Sequence, residues 1–185
     1  MSVKTMEEVE YRPFPNEEGR NSRQTQWEIP ALVKALQLPS DARILEVGCG
    51  RGIALPVLDR LCEPRRLAGL DIDEELLAVA ADNLREHGSE AELHRGDVRQ
   101  MPFADESFDV IVDFGTLYHI ARSPAALAEI ARVLAPGGMF VYETKASQFL
   151  SHPVRSRGRR LPALAEHGLR RRRWAMLWAS HTKAL

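Results

Sequence analysis

Four short stretches of this 185-residue chain put glycines or carboxylates where a backbone or a side chain can meet a ligand. The first is Glu46-Val47-Gly48-Cys49-Gly50-Arg51-Gly52. Its G-x-G-x-G spacing lets the backbone turn sharply and approach a bound molecule closely, because no Cβ stands in the way. It is not the G-x-G-x-x-G of dinucleotide binders, since the third residue past Gly50 is Ile53. The second is Asp71, about 20 residues beyond the glycines, where a carboxylate suits the two hydroxyls of a ribose. Asp73 is the better cap for the following helix, which leaves Asp71 for a ligand. The third is Gly96-Asp97-Val98, readable as an ordinary turn or as an acceptor for an adenine amino group. The fourth is Asp113-Phe114-Gly115-Thr116-Leu117-Tyr118-His119. His119 titrates near neutrality when unperturbed, so it is the candidate general base; the plainer reading has it packing against the ligand.

These stretches work together only if one scaffold brings them to one edge. The pattern predicts strands at Arg43–Val47, Leu67–Asp71, Ala91–His94, Phe108–Asp113 and Met139–Glu143. Helices are predicted over 22–38 (capped by Ser22, kinked at Pro30), about 53–62, Asp73 to His87 with a stop at Gly88, and from Ser123-Pro124 to Leu134. Alternating strands and helices imply an α/β fold: a Rossmann-like, doubly wound, mostly parallel sheet with helices on both faces. All four stretches then fall at carboxyl ends of strands, where open α/β sheets bind ligands. Residues 1–21 read as an arm with little structure of its own. Leu161–His167 reads as a helix, and residues 169–184 as a short antiparallel strand pair. The expected division is an arm and lid start over 1–29, a binding core over 30–146, and a basic segment over 147–185 that completes the sheet.

Composition fits one soluble domain, with 44% hydrophobic and 28% charged residues. Cys49 and Cys62 are spaced neither for a metal nor for a disulfide framework, and no metal is expected. No apolar run approaches the ~20 residues of a membrane span, and residues 1–10 lack a signal peptide's apolar core, so the expected location is cytoplasmic. The formal net charge of -1 conceals a division. Residues 147–185 hold nine basic residues and one acidic one, while the remainder is net negative by nine.

Taken together, the stretches resemble the class I S-adenosylmethionine-dependent methyltransferases, in the broad group that modifies small molecules. The matching residues are Ile44 to Gly52, Gly69-Leu70-Asp71-Ile72-Asp73, Gly96 to Phe103, Ser107 to Val112, and Arg132 to Gly138, covering about residues 30–146 in order. The resemblance implies S-adenosyl-L-methionine as cofactor. It implies that Gly48, Cys49 and Gly50 bring backbone against its methionine part, with Glu46 beneath that loop. Asp71 would hold the ribose hydroxyls and Ile72 would pack on the adenine. Asp97 would accept from the adenine amino group, with the Val98 N–H on a ring nitrogen. Backbone around Asp113 and Phe114 would hold the methionine ammonium.

Methyl transfer from a sulfonium needs alignment and, where the nucleophile carries a proton, a base. Neither cysteine is placed for cytosine C5 methylation, and the Asn/Asp-Pro-Pro-Tyr motif of amino-group nucleic-acid methylases is absent. The expected acceptor is a small molecule, methylated on O, N or C, and the chain is expected as a monomer or homodimer away from membranes. RNA is the alternative partner, because Arg155, Arg157, Arg159 and Arg160 and then Arg170 to Arg173 beside Trp174 and Trp178 have the make-up of a nucleic-acid surface. A solvated edge strand explains the same charge more plainly. The remaining alternatives are a cofactor-binding protein without catalysis and a nicotinamide oxidoreductase; the glycine spacing and Asp97 argue against the latter.

Overall fold

A computed structural model describes residues 17–120, 123–143 and 178–183. The Arg155–Arg160 and Arg170–Arg173 clusters and the expected helix at 161–167 lie outside these residues. The elements are α1 (Glu17–Arg23), a π-helical turn (Gln24–Glu28), α2 (Ile29–Leu36), β1 (Arg43–Val47), α3 (Leu55–Cys62), β2 (Arg66–Asp71), α4 (Glu74–Glu86), β3 (Glu92–Arg95), β4 (Phe108–Asp113), a 3-10 turn (Leu117–His119), α5 (Ser123–Val133), β5 (Leu134–Glu143) and β6 (Trp178–Thr182).

The sheet runs β3-β2-β1-β4-β5-β6. The first five strands are parallel, and β6 lies antiparallel to β5 with Met139 opposite Thr182 and Glu143 opposite Trp178. The chain leaves β1 toward β2 on one side and reaches β4 on the other, so the strand order reverses beside β1. Such a reversal opens a crevice at the carboxyl ends.

Period-2 alternation along β1 explains why both faces are covered. Ile44 points into a core built with α2, α3 and α4 through Ile29, Leu32, Leu55, Leu58 and Leu77. Leu45 and Val47 point to the opposite core, with Phe108, Ile111 and, from α5, Ala126 and Ile130. Each fully buried aliphatic side chain here contributes roughly 1.5–3 kcal/mol, so a charge at Ile111 would break the centre of the sheet.

The strand and helix expectations hold at β1, β2, β4, α3, α4 and α5, with shifts of a residue or two. Pro56 sits in the first turn of α3, where its missing N–H costs nothing. Asp73 caps α4 by accepting from the N–H groups of Glu75 and Leu76, at 2.9 and 3.2 Å. Two expectations are corrected. The first helix begins at Glu17, not at Ser22, and Ser22 lies inside α1. The C-terminal strand pair expected over 169–184 is not found among the described residues: β6 pairs antiparallel with β5 and extends the main sheet, and residues 169–177 lie outside the described residues. Among the described residues, no helix is long and apolar enough to cross a membrane.

Candidate functional site

At the end of β1 the chain turns through Gly48 and Gly50, whose φ values of 66° and 51° favour glycine. The N–H groups of Gly48 and Cys49 both donate to the Leu70 carbonyl, at 2.7 and 3.0 Å, which folds the loop across the end of β2. The two glycines differ in what faces them. A Cβ on Gly48 would meet Thr116 Oγ1 at 1.8 Å, whereas one on Gly50 would meet nothing within 4 Å. Gly48 is packed beneath the segment after β4, and Gly50 fronts open space.

Asp71 closes the other side of that space. Its Oδ2 accepts from the Gly50 N–H at 2.7 Å and its Oδ1 from the Asp73 N–H at 3.0 Å. An ionised carboxylate offers about four acceptor directions, so each oxygen keeps capacity for a hydroxyl. Ile72, next in the chain, is 44% exposed, an apolar surface beside the carboxylate.

Glu46 lies below the loop and is 3% exposed. Its Oε2 has no hydrogen-bond partner among the described residues. Burial, followed by the negative charges of Asp113 and Asp71, pushes its carboxyl well above the usual carboxylate range, while Arg20 pulls the other way. A buried orphan oxygen of this kind is costly unless a donor reaches it.

Asp113 is fully buried and spends its carboxylate on the chain itself. Oδ1 accepts from the N–H groups of Gly115 and Thr116, at 2.9 and 2.6 Å, and Oδ2 from Leu117 at 3.1 Å. Burial raises its pKa, and these three backbone donors oppose the rise. The turn they form carries Thr116, whose hydroxyl donates to the Gly48 carbonyl at 3.3 Å. Beside it, the Phe114 carbonyl accepts from Arg20 Nη2 at 3.4 Å. The first helix therefore reaches the crevice.

The remaining expected residues are placed less simply. The Asp97 carboxylate is gripped by the Arg99 guanidinium and accepts from the Arg99 N–H at 2.8 Å, which holds its pKa below the usual range. An adenine amino group would have to share these oxygens. Val98 is buried in the core on the α5 face. Cys49 is buried too, and its thiol packs against Gly69, where an added Cβ would stand 2.8 Å from Sγ. Burial, with Glu46 and Asp71, raises the thiol pKa, so Cys49 brings a backbone N–H to the loop and no nucleophile. His119 is exposed on the 3-10 turn, with its N–H on the Thr116 carbonyl at 2.9 Å.

Sequence reading assigned no role to Arg20, Thr116 or Asn83, whose amide donates to the Gly52 carbonyl at 2.8 Å. Thr116 stood within a stretch already singled out. Arg20 stood in an arm read as unstructured, and nothing in its neighbours marks it.

The crevice thus gathers acceptor capacity at Asp71, an apolar surface at Ile72, open space before Gly50, and a buried carboxyl oxygen, Glu46 Oε2, without a hydrogen-bond partner among the described residues. The family model described as "Methyltransferase domain" matches residues 45–142. The chain belongs to that family and is a class I S-adenosylmethionine-dependent methyltransferase domain. Among curated relatives, it is 37% identical over 103 residues to the phthiotriol/phenolphthiotriol dimycocerosates methyltransferase of Mycobacterium leprae, covering 56% of this chain and 37% of the relative. It is 35% identical over 100 residues to the fatty-acid O-methyltransferase of Mycolicibacterium smegmatis, covering 54% and 36%. The matched region thus spans just over a third of these relatives' length. Among solved structures, the YcgJ protein of Bacillus subtilis shares 27% identity at a TM-score of 0.58, over 62% of this chain and 49% of that one. The SAM-dependent methyltransferase of Aquifex aeolicus shares the fold at 22% identity and a TM-score of 0.61, over 66% of each chain.

Proposed function

We propose that this chain transfers a methyl group from S-adenosylmethionine to an O, N or C nucleophile of a small-molecule acceptor. The observation that carries this is the Asp71 carboxylate, fastened to the glycine loop at Gly50 and still able to accept from hydroxyls. The names of the mycobacterial relatives make fatty acids and other lipid-like alcohols or acids the first acceptors to assay.

Bound S-adenosylmethionine supplies a methyl on a sulfonium whose leaving group is a neutral thioether, so the site needs no acid for departure. Asp71 would orient the ribose and Ile72 the adenine face. Asp97 and the Val98 backbone would face the adenine edge, with Arg99 sharing the Asp97 carboxylate. The loop from Gly48 to Gly50 and the carbonyl of Phe114 would fix the amino-acid end, with the Glu46 carboxyl nearby. Thr116 and Asp113 hold those two segments together. Proton removal from an acceptor falls to His119, the exposed imidazole just past β4.

The test is methyl transfer from radiolabelled S-adenosylmethionine to a panel of fatty acids, alcohols, amines and phenols. Label in any acceptor, lost in Asp71→Ala, supports the proposal. Tight cofactor binding with no transfer to any acceptor would make the chain a non-catalytic binder. His119→Ala is expected to keep cofactor affinity while slowing transfer; loss of affinity would assign His119 to packing.

A further inference from the structure

The N-terminal helix carries a cation into the part of the crevice where a cation belongs. Arg20, on α1, sets its Nη2 3.4 Å from the Phe114 carbonyl. The same guanidinium interacts favourably with the buried Glu46 carboxyl and with Glu28. Glu28 is in turn fixed by Arg23, whose Nε lies 2.8 Å from Glu28 Oε1. The π-helical turn between Gln24 and Glu28 makes that pairing close, because its wider winding stacks residues five apart. The hydrogen bond from Arg20 to the Phe114 carbonyl thus ties α1 to the carboxyl end of β4.

We propose that Arg20 is an autoinhibitory latch: its guanidinium holds α1 over the crevice through the Phe114 carbonyl, an acceptor that the ammonium of S-adenosylmethionine would also use. The inference rests on the cofactor reading given above. Both cations favour the same carbonyl, and a carbonyl already facing a guanidinium is a weaker acceptor for a second cation. Cofactor binding then has to release Arg20, so filling the amino-acid end of the site frees α1. Ligands that fill only the nucleoside end leave the latch closed. The lid would therefore report the amino-acid part of the cofactor and not its adenosine.

Two ligands separate these ends. S-adenosylhomocysteine has the ammonium, and 5′-methylthioadenosine lacks the whole amino-acid part. Calorimetry on the full chain should show that Arg20→Met tightens S-adenosylhomocysteine by about fivefold, the equivalent of one modest charged contact, and leaves 5′-methylthioadenosine unchanged. Arg20→Lys, which keeps a cation, should bind S-adenosylhomocysteine close to the wild-type level. Amide hydrogen exchange over residues 17–28 should rise with S-adenosylhomocysteine and stay constant with 5′-methylthioadenosine. Unchanged or weaker S-adenosylhomocysteine binding in Arg20→Met would overturn the latch, the weaker result making Arg20 a holder of the cofactor's carboxylate. Failure of the wild-type chain to bind either nucleoside would instead remove the cofactor reading, and the latch with it.

Discussion

Asp71 and Gly50 are joined by a 2.7 Å hydrogen bond, carboxylate to backbone N–H, across the crevice from which the ribose would be read. The carboxylate shapes the glycine loop and, on the proposed reading, also offers acceptors to the ribose. Asp71→Ala removes both. It is expected to weaken S-adenosylhomocysteine binding by at least ~1 kcal/mol, the scale of a lost charged hydrogen bond. Titration calorimetry checks this, and unchanged affinity would count against the assignment.

Gly48 and Gly50 share left-handed backbone but not surroundings. Gly48→Ala drives a Cβ into Thr116, so it combines backbone strain with overpacking and is expected to cost about 2–4 kcal/mol. Gly50→Ala meets no atom and should cost only about 1 kcal/mol. Urea unfolding of the two variants side by side decides. Equal losses would mean that the Thr116 contact has no energetic weight.

Glu46 is buried with an unpartnered oxygen among the described residues, at the expense of stability. Its pKa is raised in the fold, so the folded state holds the proton more tightly than the unfolded chain does. The carboxyl therefore costs increasing stability as pH rises above about 4.5, its ordinary value. Glu46→Gln should raise the melting temperature at pH 8 by roughly 2–4 °C per kcal/mol recovered, with the gap closing toward pH 4.5. The same variant should bind S-adenosylhomocysteine more weakly. A lower melting temperature at pH 8 would show that the charge is compensated in place.

Asp109 behaves in the opposite sense. Arg43 donates to it from the backbone and from both ends of its guanidinium, at 2.9, 3.0 and 2.6 Å, and Arg65 adds a contact at 3.1 Å. The Arg43 side-chain bonds hold its pKa down at about 2. A depressed pKa gives stability that is present above the unfolded value near 4 and is lost as pH falls through 2. Allowing for partial exposure, Asp109→Asn should cost about 1–2 kcal/mol at pH 7 and almost nothing at pH 2. Denaturant midpoints at the two pH values test the sign.

Much of this site was legible in the order of residues because each part sits where a strand ends. Alternation in Ile44 to Val47 and the apolar run from Val110 to Val112 place β1 and β4. Asp73 marks the start of α4 through a cap that needs only local chemistry. What stayed hidden depends on tertiary contact. The polar run from Glu17 to Gln26 carries no apolar stripe that would signal a helix, so α1 and Arg20 were invisible. The grip of Arg99 on Asp97 is two residues long in sequence, yet nothing local distinguishes it from two solvated charges. The β5–β6 pairing joins Met139 to Thr182, and no hairpin turn announces a partner so distant along the chain.

The contact between Cys49 and Gly69 bears on how this sequence can drift. One residue fills the volume that the other leaves empty, with only 2.8 Å between Sγ and a Cβ that Gly69 does not have. Neither position can change alone toward bulk. Shrinking 49 to alanine removes the 2.8 Å contact with Sγ, while Leu55 Cδ1 at 3.0 Å and the Cβ of residue 49 at 3.1 Å remain, so the double exchange should recover part of what the single one loses. The two sites therefore form a compensating pair, and variants of this fold would be expected to trade volume between them in step, a mark of ancestry that can be read without knowing what the enzyme methylates.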